Sequence, residues 1–341
     1  MVDPPTSLNE SPRLRQRIIG LAIGVLLLIG CFLVNLVAGT AKTDFNTVWN
    51  ALFAFNDSTE QVIIRTARLP RALIAPTVGA ALAVAGALMQ GLTRNPLSDS
   101  GLLGINAGAA LAVVATTVWL GNASMQLYVW VAFIGAAIAA VAVYFLGSLG
   151  RRGMTPLKLI LAGAVLSYLL AAFTTGLLIL SERTLEEIRF WLAGSVAGRS
   201  LEVFWQVFPY AAIGFAIAFS LGRQMTALSL GEDVARGLGL RIGRVKVMSA
   251  IAVVLLAGGA VALAGPIAFV GLVVPHLVRF WVGVDYQWLL PYAAIWGAIL
   301  LSLADLAARW LLQPQELPVG VMTTLLGGPF FIYLARSRVK S

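Results

Sequence analysis

Ten apolar runs, each near the ~20 residues a helix needs to cross a hydrocarbon layer, divide this sequence at 18–38, 69–91, 101–120, 127–149, 156–180, 203–221, 245–264, 266–281, 288–312 and 318–335. Lipid offers a backbone no hydrogen-bond partner, so a spanning segment must be a helix or part of a closed barrel. These runs are about twice the ~9–11 residues of a barrel strand. The expectation is therefore an all-α polytopic membrane protein with about ten transmembrane helices. Its charge content agrees: 11% of the 341 residues are charged and 59% hydrophobic, where a soluble chain carries about a quarter charged residues.

Arg13, Arg15 and Arg17 precede the first run, and Val37-Ala38-Gly39 has the small residues of a cleavage site. A signal peptide's apolar region spans only about 7–15 residues, so the run is read as a retained helix. Ten spans put both termini on one side. With that side cytoplasmic, inner loops hold two basic residues for every outer one, Arg151, Arg152, Arg338 and Lys340 among them, while Lys42, Arg65, Arg68, Arg71 and Arg309 fall outside. That is the asymmetry of topology signals. The net charge of +9 is dispersed over these loops and does not form a phosphate-binding face, which argues against nucleic acid. The division is a cytoplasmic tail at 1–17, a transmembrane domain at 18–335 and a cytoplasmic tail at 336–341.

A charged insert at 226–241 interrupts the apolar pattern and reads as a helix-turn-helix lying against the membrane. Ser229 and Glu232 stand at capping-box spacing, and Gly237 and Gly239 supply a helix stop. A plain basic cytoplasmic loop fits the same residues. At 184–199, Glu186, Glu187 and Arg189 alternate with Phe190, Trp191 and Leu192, as in an interfacial helix whose aromatics sit at headgroup level. Residues 41–64 form a second outer segment that lies on the surface. Ala83, Ala87 and Gly91, Gly104 and Gly108, and Gly79 and Gly86 are small residues of the kind that let membrane helices approach closely, and packing accounts for them.

Chemistry is sparse. No G-x-x-x-x-G-K-[ST] phosphate cradle is present, nor a G-x-S-x-G elbow or H-E-x-x-H. One cysteine, Cys31, and one histidine, His276, exclude a disulfide framework and a Cys- or His-rich metal site. No metal and no cofactor is expected. Asp305 is the one acid deep in a span, which makes it a functional candidate. Arg309 lies one turn on and can pair with it. His276 and Arg279 suit packing or an interface. Arg68 and Arg71 are open between interfacial anchoring and docking.

Six stretches then coincide in order: RLPR at 68–71, GAALAVAGALMQGLTRNPL at 79–97, GLLGINAGA at 101–109, LGEDVARGLGL at 230–240, GPIAFVGLVVPHLVR at 265–279 and ELPVGVMTTLLGGPFFIYL at 316–334. Together they closely resemble the permease subunits of ABC importers for ferric siderophores, haem and cobalamin. The resemblance runs from about Ala67 to the C-terminus; the first helix agrees in kind only. It implies a ten-helix subunit of the bacterial inner membrane working with a second permease subunit, identical or homologous. Two ATPase subunits and a periplasmic or lipid-anchored substrate-binding protein complete the assembly. Arg68, Arg71 and Arg309 match positions that dock the binding protein. Ser229, Gly231, Glu232, Asp233, Ala235, Arg236, Gly237, Leu238 and Gly239 fall on the part that couples to the ATPase. Asn95 and Leu97 resemble a cytoplasmic gate, with a second constriction near Thr155 and Pro156. Thr174, Thr175 and Gly176 fall on the fifth helix, which with the tenth lines the pathway. The implied cargo is a metal chelate, ferric siderophore first, then haem or cobalamin. A secondary transporter working alone is the rival reading, and it leaves the charged insert unexplained. An intramembrane enzyme lacks catalytic residue types.

Overall fold

The computed structural model describes residues 10–38, 44–121, 124–149, 155–311 and 315–339. The expectations on Lys42, Arg151, Arg152 and Lys340 lie outside these residues, as do those on the side chains of Arg13, Glu187 and Arg338. Within the described residues the chain is helical and has no strand: α1 Glu10–Val37, α2 Phe45–Phe53, α3 Thr59–Ile63, α4 Leu69–Thr93, α5 Ile105–Leu120, α6 Met125–Ser148, α7 Pro156–Leu180, α8 Glu182–Leu192, α9 Leu201–Ser220, α10 Gly222–Ser229, α11 Glu232–Gly237, α12 Ile242–Val253, α13 Gly259–Ala264, α14 Val270–Val282, α15 Tyr286–Leu311 and α16 Val319–Val339. Single π turns join α3 to α4 (Ile64–Arg68) and α12 to α13 (Val254–Gly258), so each pair forms one continuous rod.

Seven of these rods are long and apolar enough to cross a membrane, and Ile105–Leu120, Val270–Val282 and Val319–Ile332 are shorter apolar helices. All ten coincide with the apolar runs. The eighth is short because Gly265 (φ +73°) and residues up to Phe269 (φ +70°) break the helix before α14 starts. A Cβ at Gly265 would overlap the Trp191 carbonyl, so the break is held against the end of α8.

Helix α4 is the centre of the bundle. It packs on α15, α14, α13, α9 and α12 and is buried along nearly its whole length. Small residues make this possible, as the sequence suggested. Gly79 abuts Gly297 of α15, Gly86 abuts Gly271 of α14, and Gly108 of α5 abuts Gly135 of α6, each without room for a Cβ. Backbones thus meet at van der Waals distance, which is how helices associate where lipid tails are as apolar as leucine. In contrast, α1 and α7 leave most of their apolar surface uncovered: Leu26, Tyr168, Phe173 and Ile179 are all exposed.

The amphipathic segment at 184–199 is helical only to Leu192. Phe190 faces outward, but Ile188 and Trp191 are buried. Trp191 is therefore a core residue and not a headgroup anchor, because α8 lies on α5 and α7 and one face must be covered.

Candidate functional site

Two clusters of charge, at opposite ends of the central helices, hold almost every residue singled out from the sequence. At the first end lie Arg68, Arg71, Asp305, Arg309 and Glu316. Asp305 is 1% exposed; one carboxylate oxygen accepts a hydrogen bond from Arg71 Nη2 at 3.1 Å, and the other is ion-paired with Arg309 Nη2 at 3.1 Å. The i, i+4 pair expected on α15 is thus present, and a second cation from α4 completes it. Arg71 uses its other nitrogen on Glu316, at 2.8 Å, in the turn before α16. Arg309 also donates to the Ala38 carbonyl at 3.1 Å and to the Asn35 side chain. Arg68 donates to the carbonyls of Leu36 at 3.0 Å and Val37 at 2.6 Å.

Both Arg68 and Arg309 thereby satisfy the last carbonyls of α1, which a helix leaves without partners and which attract cations. Arg68, Arg71 and Arg309, which the resemblance matches to docking positions, are all engaged within this chain. Arg68 and Arg309 are buried, 4% exposed each, and Arg71 is engaged on both sides. The physical reason is the α1 C-terminus, whose unpaired carbonyls compete for the same guanidinium groups. Glu316 and Asn35 carry no local sequence signal for these roles. Their partners are hundreds of residues away in sequence, so no local spacing signals them.

At the opposite end the charged insert forms two short helices, α10 and α11, with Leu230 and Gly231 (φ +125°) as the corner. The capping box is not formed. Ser229 ends α10, where its Oγ donates to the Thr226 carbonyl at 2.7 Å, and Gly231 is the residue that starts α11. Glu232 instead accepts from Lys246 Nζ on α12 at 2.8 Å, with Arg94 Nη2 at 4.0 Å. The Lys246 hydrogen bond is the main cause that holds the Glu232 carboxyl below its ordinary value of 4.5. The predicted stop is real: Gly239 (φ +79°) donates to the Arg236 carbonyl at 3.0 Å and Leu240 to that of Ala235 at 3.1 Å. This is the paired closure of a Schellman motif.

The insert has a buried and an exposed side. Ala235 is fully buried and Glu232 turns inward. Asp233 and Arg236 stay in solvent and pair with each other at 3.2 Å. Leu230, Val234 and Leu238 are exposed at 63%, 48% and 66%. Val234 and Leu238 stand one turn apart along α11, and Leu230 is exposed at the corner before it. Gly231, Gly237 and Gly239 have nothing within 4 Å of a would-be Cβ.

Arg94 links the insert to the loop after α4. It is the C-cap of that helix in the left-handed region, φ 50°. Asn95 follows, its side chain accepting from the Leu97 amide at 3.0 Å and its carbonyl from the Ser98 amide at 3.1 Å, a closed turn. Asn95 and Leu97 are half-exposed on this turn, beside the insert. Arg279 bonds the Gln90 side chain and the Tyr286 hydroxyl (3.3 Å), tying α14 to α4 and α15. His276 packs edge-on against Phe280 and Phe330, 5.4 and 5.9 Å between ring centres.

On α7, Thr175 and Gly176 are exposed, whereas Thr174 is buried and bonds the Leu170 carbonyl at 2.9 Å. Thr174 is therefore turned away from any outer face of α7. Among the described residues no group of three His, Cys, Asp or Glu could hold a metal ion.

A family model, the FecCD transport family, matches residues 26–337. A Bacillus subtilis protein named as a probable siderophore transport system permease is 50% identical over 93% of this chain and 95% of its own length. The ferric enterobactin transport system permease protein of Escherichia coli is 40% identical over 93% of this chain and 94% of its own. A solved structure assigned to the metal-chelate type of ABC transporter, in an inward-facing conformation, superposes with a TM-score of 0.81 at 31% identity. The match covers 93% of this chain and 98% of that one.

Proposed function

The chain belongs to the FecCD transport family, and from that premise we propose that it is the permease subunit of a binding-protein-dependent ABC importer carrying a ferric siderophore across the bacterial inner membrane. The family is one of transport permease subunits and not of catalysts; hydrolysis of ATP belongs to separate subunits. The observation that carries the reading is the relation to siderophore permeases over nearly the whole chain, inclusive of the charged insert. Haem and cobalamin are the alternative cargoes, since permeases named for hemin and for cobalamin are each 39% identical to this chain.

In this reading both termini are cytoplasmic and α10–α11 face two ATPase subunits. The exposed apolar side chains of Val234 and Leu238 along α11, with Leu230 at the corner before it, suit a groove on such a partner, and Asp233 and Arg236 stand beside them. Glu232 serves on the other side of the same helix: through Lys246 and Arg94 it ties the insert to α12 and to the Asn95–Leu97 turn, the proposed gate. Motion of the insert would thus reach the gate through an ionic contact and not through a flexible loop. The exposed faces of α7, with Thr175 and Gly176, and of α16 would meet the second permease subunit around the pathway. A loaded binding protein would dock at the opposite end, near Arg71 and Glu316. Cargo and nucleotide must favour different conformations, because a ligand shifts an equilibrium only by its differential affinity.

The test is to express the chain with its operon neighbours, purify it by a tag and assay what is recovered. An ATPase subunit should co-purify and be stimulated by loaded binding protein. Val234→Asp should abolish that recovery while the permease stays monodisperse. Uptake that persists without any ATPase would sink the reading in favour of a secondary transporter.

The ionic tie makes its own prediction. Glu232→Lys places a third cation beside Lys246 and Arg94, and transport per ATP hydrolysed should fall at least about fivefold, the effect of roughly 1 kcal/mol of coupling. Glu232→Lys with Lys246→Glu should recover most of it. Because the folded carboxyl titrates below 4.5, the contact is fully present at neutral pH and is lost only as pH falls through that lowered value. Coupling measured between pH 5 and 8 should therefore not change through this contact.

A further inference from the structure

A cavity of about 490 Å³ opens under α8, between the N-terminal ends of α6 and α16, lined in part by Tyr128, Phe190, Trp191, Arg199, Glu316 and Pro318. Arg199 is 5% exposed. Its Nη1 reaches only the Met125 sulfur, and its Nε has no partner. Among the described residues no carboxylate forms an ion pair with it. Glu316, on another wall, is held by Arg71 at 2.8 Å. A buried guanidinium without a counter-charge is costly. Burial lowers its pKa only to about 10, so at neutral pH it remains a cation.

We propose that this cavity is a binding site for a single carboxylate with apolar carbon beside it, with Arg199 as the pairing group. The guanidinium fork matches a carboxylate with two parallel hydrogen bonds, and the aromatic walls of Tyr128, Phe190 and Trp191 take the apolar part. Glu316, which also lines the cavity, disfavours a second negative charge. This rests on the importer reading only for its source: the carboxylate is either that of the cargo or that of a binding-protein side chain.

The site itself is tested without either partner. Permease in nanodiscs is titrated with benzoate, read by saturation-transfer NMR, with benzamide as the uncharged control. Saturable benzoate binding is expected, benzamide giving none, with affinity at least tenfold weaker in Arg199→Met and intermediate in Arg199→Lys, which keeps the charge and loses the fork. Equal signals from benzoate and benzamide, or benzoate binding unchanged in both variants, overturn the proposal whether or not the importer reading holds. Should Arg199→Met fold poorly, the wild-type comparison and Arg199→Lys still decide.

In the assembled complex two readouts separate the sources. Weaker binding-protein affinity in Arg199→Lys, with uptake otherwise normal at saturating binding protein, assigns the carboxylate to the partner. Slower uptake by Arg199→Lys of a ferric chelate bearing one free carboxylate than of an uncharged trihydroxamate chelate, at unchanged binding-protein affinity, assigns it to the cargo. Uptake and affinity both unchanged would overturn a role in transport.

Discussion

Asp305→Asn is expected to lower the apparent thermal midpoint of the purified permease by roughly 5–15 °C, the consequence of losing about 3–5 kcal/mol when one partner of a buried ion pair is removed. The carboxylate is 1% exposed and stands between Arg71 and Arg309 at 3.1 Å each. Asparagine keeps the shape and one acceptor but leaves two guanidinium groups with Glu316 as the remaining acid. Arg309 cannot simply turn away, because it also holds Asn35 and the Ala38 carbonyl at the end of α1. Asp305→Asn combined with Arg309→Gln should therefore cost less than the sum of the singles, a non-additivity that a thermal-shift series measures directly. Additive losses would mean that the two residues act independently. If Asp305 were only an orienting partner for an exposed docking arginine, binding-protein affinity would fall while the midpoint stayed put.

Gly86→Val should leave no folded, monodisperse permease to recover. A Cβ there overlaps the carbonyl, carbon and Cα of Gly271. The obstruction is backbone, so no rotamer change can relieve it, and α4 and α14 would have to separate. Overpacking that side chains can absorb costs about 1–3 kcal/mol; this contact lies beyond that range because both helices are fixed by other neighbours. Gly30→Val is the control: Gly30 is on α1 with nothing within 4 Å of a Cβ, and recovery by size-exclusion chromatography should match the wild type. Normal recovery of Gly86→Val would show that the two helices have slack that this packing does not suggest.

The two substitutions mark what could be read from the chain and what could not. A run of apolar residues long enough to cross a bilayer permits a helix and little else, because backbone groups in lipid must bond within their own segment. That local requirement made the all-helical class and the positions of ten apolar helices legible from sequence, along with the need for glycine and alanine on α4. The family relation was equally legible, since it rests on motif order. Spacing along one helix also carried the Asp305–Arg309 pair, whose partners are a single turn apart.

What sequence spacing could not supply is the identity of partners on different helices. Gly86 could have been any small residue until α14 was brought against it. Nothing in the spacing of Arg68 and Arg309 says that they meet the unpaired carbonyls at the end of α1. Glu232 has the spacing of a capping residue and instead meets Lys246, fourteen positions on. Arg199 gives no local signal at all. Each of these outcomes is a competition among side chains and backbone groups brought together only by packing. Short-range pattern fixes which segments are helices; the choice among possible partners for a charge is made by distance in space, and that is set by how the helices stack.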